Sequence, residues 1–457
     1  MKKIVLAIAA VTAVAAFAPE ASALPVFARQ TGMACSACHF QHFPLLNGFG
    51  RAFKSAGFTM MGAQGKIEGE HLDIPNVLNL GVFTTVAYQT QSSSAGQANA
   101  APKWLVPSTG GEFSIFVGGR ISEFAGFLAE LGMGGGGQNA VTGTVAAPGG
   151  APAPATGYTT PGGGVASSAK LAMLFPVGDA RVGMVAYSDV GQGAAYSYEI
   201  LNTGAVGTHK MMGNTGPSNQ HVNAAYAAQY LGTKGDASGV SFVANNTMGF
   251  VNIGRYESAG NNMVGGANSL PLTYARAAAT FDLAGFDSAV GIQSFSGSSM
   301  VTGSNTKATI IDGQMQGEIA GFATGIYVGY GRAPAAVAVN AAGANILSFN
   351  QSANGIATTT LNVAAEMALI PHGTVQLAFR TATRDANDAV TAASLVQAGV
   401  VAGNSAKDNA VLVGATYELA QNMGLSLHYT TQSGSYWTNQ VNPLGKTATT
   451  LLLETAF

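Results

Sequence analysis

The chain has 457 residues, of which 47% are hydrophobic, only 9% are charged, 61 are Gly and 2 are Cys. Charge this sparse, 20 Lys+Arg against 22 Asp+Glu for a formal net of -2, excludes a strongly basic nucleic-acid binder and fits poorly with a chain of water-exposed helices. Function must therefore rest on local clusters.

The chain opens like a secretory leader. Lys2 and Lys3 precede an apolar run over 4–18, and Ala21-Ser22-Ala23 forms a small-x-small cleavage site. That run is too short to span a bilayer, so residues 1–23 are expected to be removed, with the mature chain beginning at Leu24. Later apolar stretches are all interrupted by Gly, Ser, Thr or Asn, so export without a helical membrane anchor is expected.

Cys35 and Cys38 are the two cysteines, and His39 follows at once, giving Cys35-Ser36-Ala37-Cys38-His39. Two thioethers to one haem need thiols about one helical turn apart, and the next residue can then bring its imidazole to the iron. A thioredoxin-type dithiol would need alternating strands and helices around it, and a zinc site would need a second pair of ligands; neither pattern is present in the sequence. The expectation is one covalent haem c on Cys35 and Cys38, with His39 as the proximal iron ligand. Phe40, Phe43, Leu45, Leu46, Phe49, Phe53 and Phe58 supply an apolar wall. Pro44 marks a helix start, with Leu46, Phe49 and Phe53 on one face. Arg29, Arg51 and Lys54 are candidate partners for haem propionates. For the distal ligand Met60 is favoured, with His42, Met61 and His71 as alternatives and an open position as another. The segment 24–72 is too small to bury a core alone, which implies a cofactor, a host, or both.

From Asp73 to the end the pattern becomes strands of about ten residues with alternating faces. Leu361, Val363, Ala365, Met367 and Leu369 alternate with Asn362, Ala364, Glu366 and Ala368. Beyond Ile370-Pro371-His372-Gly373, Val375, Leu377 and Phe379 face away from Thr374, Gln376 and Arg380. In the same way Ile311, Met315 and Ile319 oppose Asp312, Gln314, Gln316 and Glu318. Seven tight turns are predicted, near Gly119-Arg120, Val177-Gly178, Lys234-Gly235, Ala284-Gly285, Ala320-Gly321, His372-Gly373 and Ala420-Gln421. With a first strand near 76–88 and a last near 447–457, the total is about sixteen. Long segments rich in Gly, Ala, Pro, Ser and Asn, such as 134–164, separate the hairpins. A water-soluble sandwich would fill its interior with large apolar groups. Here the second face carries Glu130, Lys170, Arg181, Arg276, Glu366, Arg380 and Glu418, which suits a wet or plugged lumen. The alternating Thr449, Leu451, Leu453, Thr455 and Phe457 read as a closing strand. The expected fold is all-β: a transmembrane antiparallel β-barrel over 73–457 in the bacterial outer membrane, preceded by a small α-helical monohaem segment inside the lumen or across its periplasmic mouth.

The runs Phe27-Ala28-Arg29-Gln30-Thr31-Gly32, Cys35 to Pro44, and Leu46-Asn47-Gly48-Phe49-Gly50-Arg51-Ala52-Phe53-Lys54 resemble the fused monohaem cytochrome-porin family, whose characterised members are outer-membrane iron(II) oxidases. The close match covers about 24–61; the barrel agrees in architecture and length. The resemblance implies haem c at Cys35 and Cys38 with His39 as axial ligand, and passage of electrons from outside the cell to periplasmic carriers. The expected function is an electron conduit from an extracellular donor, Fe(II) foremost, to a periplasmic cytochrome or other soluble carrier. A solute porin with a haem-bearing plug and a haem enzyme with an open iron position are the alternatives. Outer-membrane lipid is an expected partner and nucleic acid is not.

Overall fold

The structure, a computed structural model, describes residues 25–62, 64–70, 72–92, 100–107, 110–133, 166–190, 193–204, 227–231, 237–258, 269–298, 307–334, 338–339, 345–346, 356–386, 405–420, 422–436 and 446–457. Residues 1–23, the expected leader, and His71 lie outside the described residues. Three short helices come first: α1 (Pro25–Thr31), α2 (Cys35–Cys38) and α3 (Gly48–Ser55). A small hairpin, Lys66–Gly69 with Leu72–Pro75, follows.

The rest of the wall is sixteen antiparallel strands. They are β1 (Asn79–Ser92), a broken β2 (Ala100–Pro107, Gly110–Gly111 and Phe113–Arg120), β3 (Ala125–Gly132), β4 (Ala166–Val177), β5 (Ala180–Val190), β6 (Ala237–Asn246), β7 (Gly249–Ser258) and β8 (Leu272–Leu283). Then come β9 (Phe286–Ser296), β10 (Ala308–Ile319), β11 (Phe322–Ala333), β12 (Ile356–Ile370), β13 (Gly373–Ala386), β14 (Ser405–Ala420), β15 (Met423–Ser433) and β16 (Thr447–Ala456). Each strand pairs with its sequence neighbour, and β16 returns to β1 with Leu453 opposite Val86 and Leu451 opposite Tyr88. The backbone of Phe457 completes the seam by exchanging two hydrogen bonds with Val82, at 2.7 and 2.9 Å. Closure leaves no strand edge unpaired, which a wall in hydrocarbon requires.

The alternation in the sequence sets the two faces. Leu361, Val363, Val375, Leu377, Phe379, Ile311 and Ile319 are exposed on the outside of the cylinder, whereas Asn362, Glu366, Gln376, Arg380, Asp312 and Gln314 are buried. A closed cylinder with an apolar exterior and a polar interior is a barrel of the bacterial outer membrane. Among the described residues no helix is long and apolar enough to cross a membrane.

Seven short connections lie at one end, the periplasmic one, and the long loops lie at the other. Ala284-Gly285 and Ala320-Gly321 turn with positive φ at both residues, the geometry of a two-residue hairpin matched to strand twist. One expected turn is displaced. Lys234-Gly235 lies outside the described residues, and the seventh short connection joins Asn246 to Gly249. Gly249 itself, with φ 152°, begins the new strand, so the turn carries Thr247-Met248 at its tip, and the Asn246 side chain accepts from the Met248 amide at 2.9 Å.

Three layers of chain occupy the lumen. Nearest the periplasm sit α1 to α3. In the middle lies 193–204, which includes a single 3-10 turn, Ala194–Ser197. Toward the loops lies a short helix, α4 (Ala227–Tyr230). Each layer is fastened to inward side chains of the wall. Arg276 on β8 meets Glu199 at 3.1 Å and pairs with Asp312 on β10. Arg380 reaches Asp408 at 2.6 Å, and Tyr230 of α4 donates to the same carboxylate at 2.7 Å.

Candidate functional site

The site begins at α2. The helix is one turn long, with the amide of His39 donating to the carbonyl of Cys35 at 2.9 Å, so the two thiols stand on one turn. Asn47 joins this turn to the next helix: its Oδ1 accepts from the Gly50 amide at 2.9 Å and caps α3, while its Nδ2 donates to the carbonyls of Ala37 at 3.0 Å and Ser36 at 3.2 Å. One side chain thus ties the start of α3 to the end of α2. The helix therefore starts at Gly48 and not at Pro44, which follows a cis peptide bond after Phe43. Phe53 of α3 is buried against Phe27 and Phe58, whereas Phe49 is 38% exposed, so the expected Leu46, Phe49 and Phe53 face is only partly buried.

Cys35, His39, His42 and Phe43 line an open pocket at the periplasmic mouth, faced on the barrel side by Phe83, Glu418, Met423 and Glu454, among others. Nδ1 of His39 lies 3.2 Å from the carbonyl oxygen of Leu45. An oxygen of that kind can only accept, so Nδ1 carries the proton and Nε2 keeps its lone pair, the tautomer a metal-binding histidine needs. Burial, then the Glu418 carboxylate, pushes the Cys35 thiol up to about 12, and burial raises Cys38 as well. A redox-active dithiol requires the opposite shift, so the pair does not suit thioredoxin chemistry. Two thiols on one helical turn, followed by an imidazole in the ligating tautomer at an open pocket, fit a covalently attached haem.

The remaining candidates have other partners. His42 lines the cavity, but its Nδ1 donates to the carbonyl of Phe43 at 2.8 Å and its Nε2 meets Glu366 at 2.6 Å. Burial opposes its charge, yet the Glu366 carboxylate overrides it and lifts the imidazole to about 9. With both nitrogens protonated, His42 has no lone pair for a metal; it fastens the segment to the wall. Met60 and Met61 are not among the lining residues. The Met60 carbonyl accepts from Gln30 Nε2 at 2.8 Å, on the side where Gln30 also holds the amide of Arg120. The methionine that does line the cavity is Met423, at the start of β15.

The three cations are also spent elsewhere. Arg29 donates to the carbonyl of Leu80, and Arg51 pairs with Asp287 while donating to Gln316 at 3.0 Å. Lys54 stands 5.3 Å over the ring of Tyr196, and burial brings its ammonium down to about 8 against the opposing charge of Glu199. None of them lines the cavity.

The sequence reading missed the residues that hold the segment in the barrel. Asn202 from the middle layer brackets Leu46, accepting from its amide at 2.7 Å and donating to its carbonyl at 2.9 Å. Gln376 Oε1 accepts from His428 Nε2 at 2.7 Å, and its amide nitrogen packs 3.1 Å from His42 Nε2. These partners lie 52 to 334 residues apart in the chain, and no local spacing marks them. Asn47 was findable, because an Asn three residues before Gly50 at a helix start is a capping signal.

No protein-family profile matches the chain, and no curated protein matches it. Among solved structures it is similar to the outer membrane channel DcaP of Acinetobacter baumannii, at 10% identity over 86% of this chain and 100% of that one, with a TM-score of 0.47. It is also similar to Salmonella typhi OmpF in complex with daunomycin, at 13% identity over 86% and 100%, with a TM-score of 0.46. A loop-deleted OmpT of Vibrio cholerae gives 10%, 84% and 100%, with a TM-score of 0.44. The barrel stands on its own strand register.

Proposed function

We propose that this outer-membrane barrel is an electron-transfer protein that carries one haem c on Cys35 and Cys38, with His39 as axial ligand, and exchanges electrons with a soluble periplasmic carrier. The observation that carries this reading is that Cys35 and Cys38 stand on one helical turn with His39 next, its Nδ1 held by the Leu45 carbonyl, at an open pocket of the periplasmic mouth. Such a group supplies one-electron transfer when bound. The chain's own residues orient it: the Leu45 carbonyl sets the His39 tautomer, Asn47 fixes α2, and His42 with Glu366 docks the segment against the wall. The donor belongs to the same proposal. From Glu366, beside His42, the wall runs ten residues up β12 to Ile356, roughly 25 Å of height at the usual rise and tilt. An extracellular reductant such as Fe(II) must therefore enter the lumen or pass its electron across that filled space.

The test uses full-length protein made in a host that attaches haem c, reconstituted in liposomes. Covalent haem absent from wild type, or retained by Cys35→Ser/Cys38→Ser, defeats the haem assignment. With haem present, Fe(II) added outside should reduce it and a soluble cytochrome c should reoxidise it. Failure of the first step alone removes Fe(II) as donor.

One observation favours a second reading, a solute porin with a haem-bearing plug: sixteen strands enclose a space wide enough for an aqueous channel. Large steady currents across planar bilayers would support it, and a closed barrel favours the electron carrier.

A further inference from the structure

The chain is close to neutral overall, yet among the described residues the outward-facing cations of the wall lie at one level, in a row that runs from β7 to β14. Strand register puts Arg255 on β7 opposite Thr273 on β8, and Thr273 opposite Ser296 on β9; Lys307 immediately precedes β10. One pleat down, Thr309 on β10 faces Arg332 on β11, which faces Thr359 on β12, which faces Thr383 on β13, which faces Lys407 on β14. Arg255, Lys307, Arg332 and Lys407 are all exposed on the outer wall. The row sits near the long-loop ends of its strands, on the side facing away from the periplasm.

Its height is set by the residues beneath. One pleat toward the periplasm, about 7 Å, are the exposed Ile253 under Arg255, Ile311 under Thr309, Tyr330 under Arg332 and Leu361 under Thr359; on β13 and β14 Thr381 and Asn409 intervene, and the exposed Phe379 and Val411 follow one pleat further. The cations thus stand where the hydrocarbon ends and headgroups begin, with a tyrosine at the boundary as interfacial rings prefer. Two of them are steadied by hydroxyls of the same row. Lys407 Nζ donates to Thr383 Oγ1 at 2.6 Å, while Arg255 donates to Thr273 Oγ1 and to the Leu270 carbonyl, each at 2.8 Å. Asp385 is an exposed outward carboxylate one pleat above Thr383 and accepts from Ser405, while Glu257, on the same face of β7 one pleat above Arg255, is buried.

We infer that this row is a docking surface for phosphorylated lipid of the outer leaflet, with Arg255, Lys307, Arg332 and Lys407 holding headgroup phosphates against the wall. Guanidinium and ammonium groups beside hydroxyl donors are the chemistry that binds phosphate, and the apolar ring directly below seats acyl chains, which a free anion lacks. A charged row in this position has no role in the lumen or in the cavity at the opposite mouth.

Native mass spectrometry of the full-length protein in detergent, with lipid A as probe, tests it. Wild type should bind phosphorylated lipid A and lose it as salt rises, with dephosphorylated lipid A and inorganic phosphate binding at least tenfold more weakly. Replacing Arg255, Lys307, Arg332 and Lys407 by Gln together should reduce lipid A binding by more than tenfold. Asp385→Asn should tighten it, a gain that keeps the inference testable if the fourfold variant fails to fold. Equal affinity for the dephosphorylated lipid, equal affinity for inorganic phosphate, or unchanged binding in Asp385→Asn each overturns it.

Discussion

Gly50 brings its backbone so close to Cys38 that a Cβ at this position would lie 2.1 Å from the Cys38 carbonyl oxygen and 2.9 Å from its carbon. The contact is between α3 and the last residue of α2, and it is backbone on both sides of the clash, so no side chain can swing away. Glycine is required here for close approach, because α3 keeps ordinary helical geometry through Gly50.

Gly50→Ala should therefore push α3 off α2 and disturb the thiols and His39 together, at an overpacking cost of about 1–3 kcal/mol. The expected result is a marked fall in covalent haem per barrel, read by haem staining after gel electrophoresis, while the barrel retains its heat-modifiable migration. Gly48→Ala is the control. Its Cβ would meet the carboxylate end of Asp287 at 3.3 Å, a flexible neighbour that can shift.

His42 and Glu366 give the docking of the segment a pH dependence. The imidazole is held at about 9 in the folded protein against an ordinary value of 6.5. A group whose folded value is raised contributes its full stabilisation below 6.5 and loses it progressively as pH rises through 9, a total of about 3 kcal/mol. Protection factors of amides in 36–47, corrected for the intrinsic rise of exchange with pH, should thus fall between pH 7 and 10. In Glu366→Gln the fall should vanish and protection be low throughout. A flat profile in wild type would remove this ion pair from the docking.

The distal side of the cavity separates two methionines. The Met60 backbone is held by Gln30, away from the lining of the cavity, whereas Met423 contributes to that lining. Met60→Ala should leave the visible and charge-transfer bands of the haem protein unchanged, and Met423→Ala is the substitution expected to move them. Loss of a methionine-to-iron band in Met60→Ala would overturn this assignment.

How far each part was legible in the sequence depends on the range of its contacts. Leu361, Val363 and Phe379 declared the outer face because strand alternation is local, and Cys35, Cys38 and His39 stand within one helical turn. The turn between β6 and β7 was misplaced because Lys234-Gly235, just before β6, looks like a turn and competes with the real one, which is marked only by Asn246 and Gly249 at its two ends. The partners of His42, Arg51 and Leu46 come from β12, β9 and the middle layer, brought there only by barrel closure. Distal ligation and the propionate partners are decisions of that tertiary kind, which spacing does not reach: Arg51 is paired with Asp287, and Met60 does not line the pocket.

Arg276 supplies the test of whether the lumen is held shut. Its guanidinium is fully buried between Glu199 of the middle layer and Asp312 of β10, and Thr203 donates to the same Asp312 at 2.5 Å. Arg276 thus ties the inserted segment to the wall, alongside Lys170 of β4, whose Nζ donates to the Tyr196 carbonyl at 2.8 Å. Arg276→Ala leaves two buried carboxylates facing one another without a counter-charge, a loss of about 3–5 kcal/mol. The wall itself has its backbone ladder on both sides of β8 to resist this, so the weaker element, 193–204, should yield first. In planar bilayers wild type is expected to pass little steady current, while Arg276→Ala should open to porin-like conductance with covalent haem retained, because α2 and its cavity lie in the periplasmic layer. High conductance in wild type, unchanged in the variant, would show that the inserted segment does not gate the barrel and would turn the balance toward the solute porin.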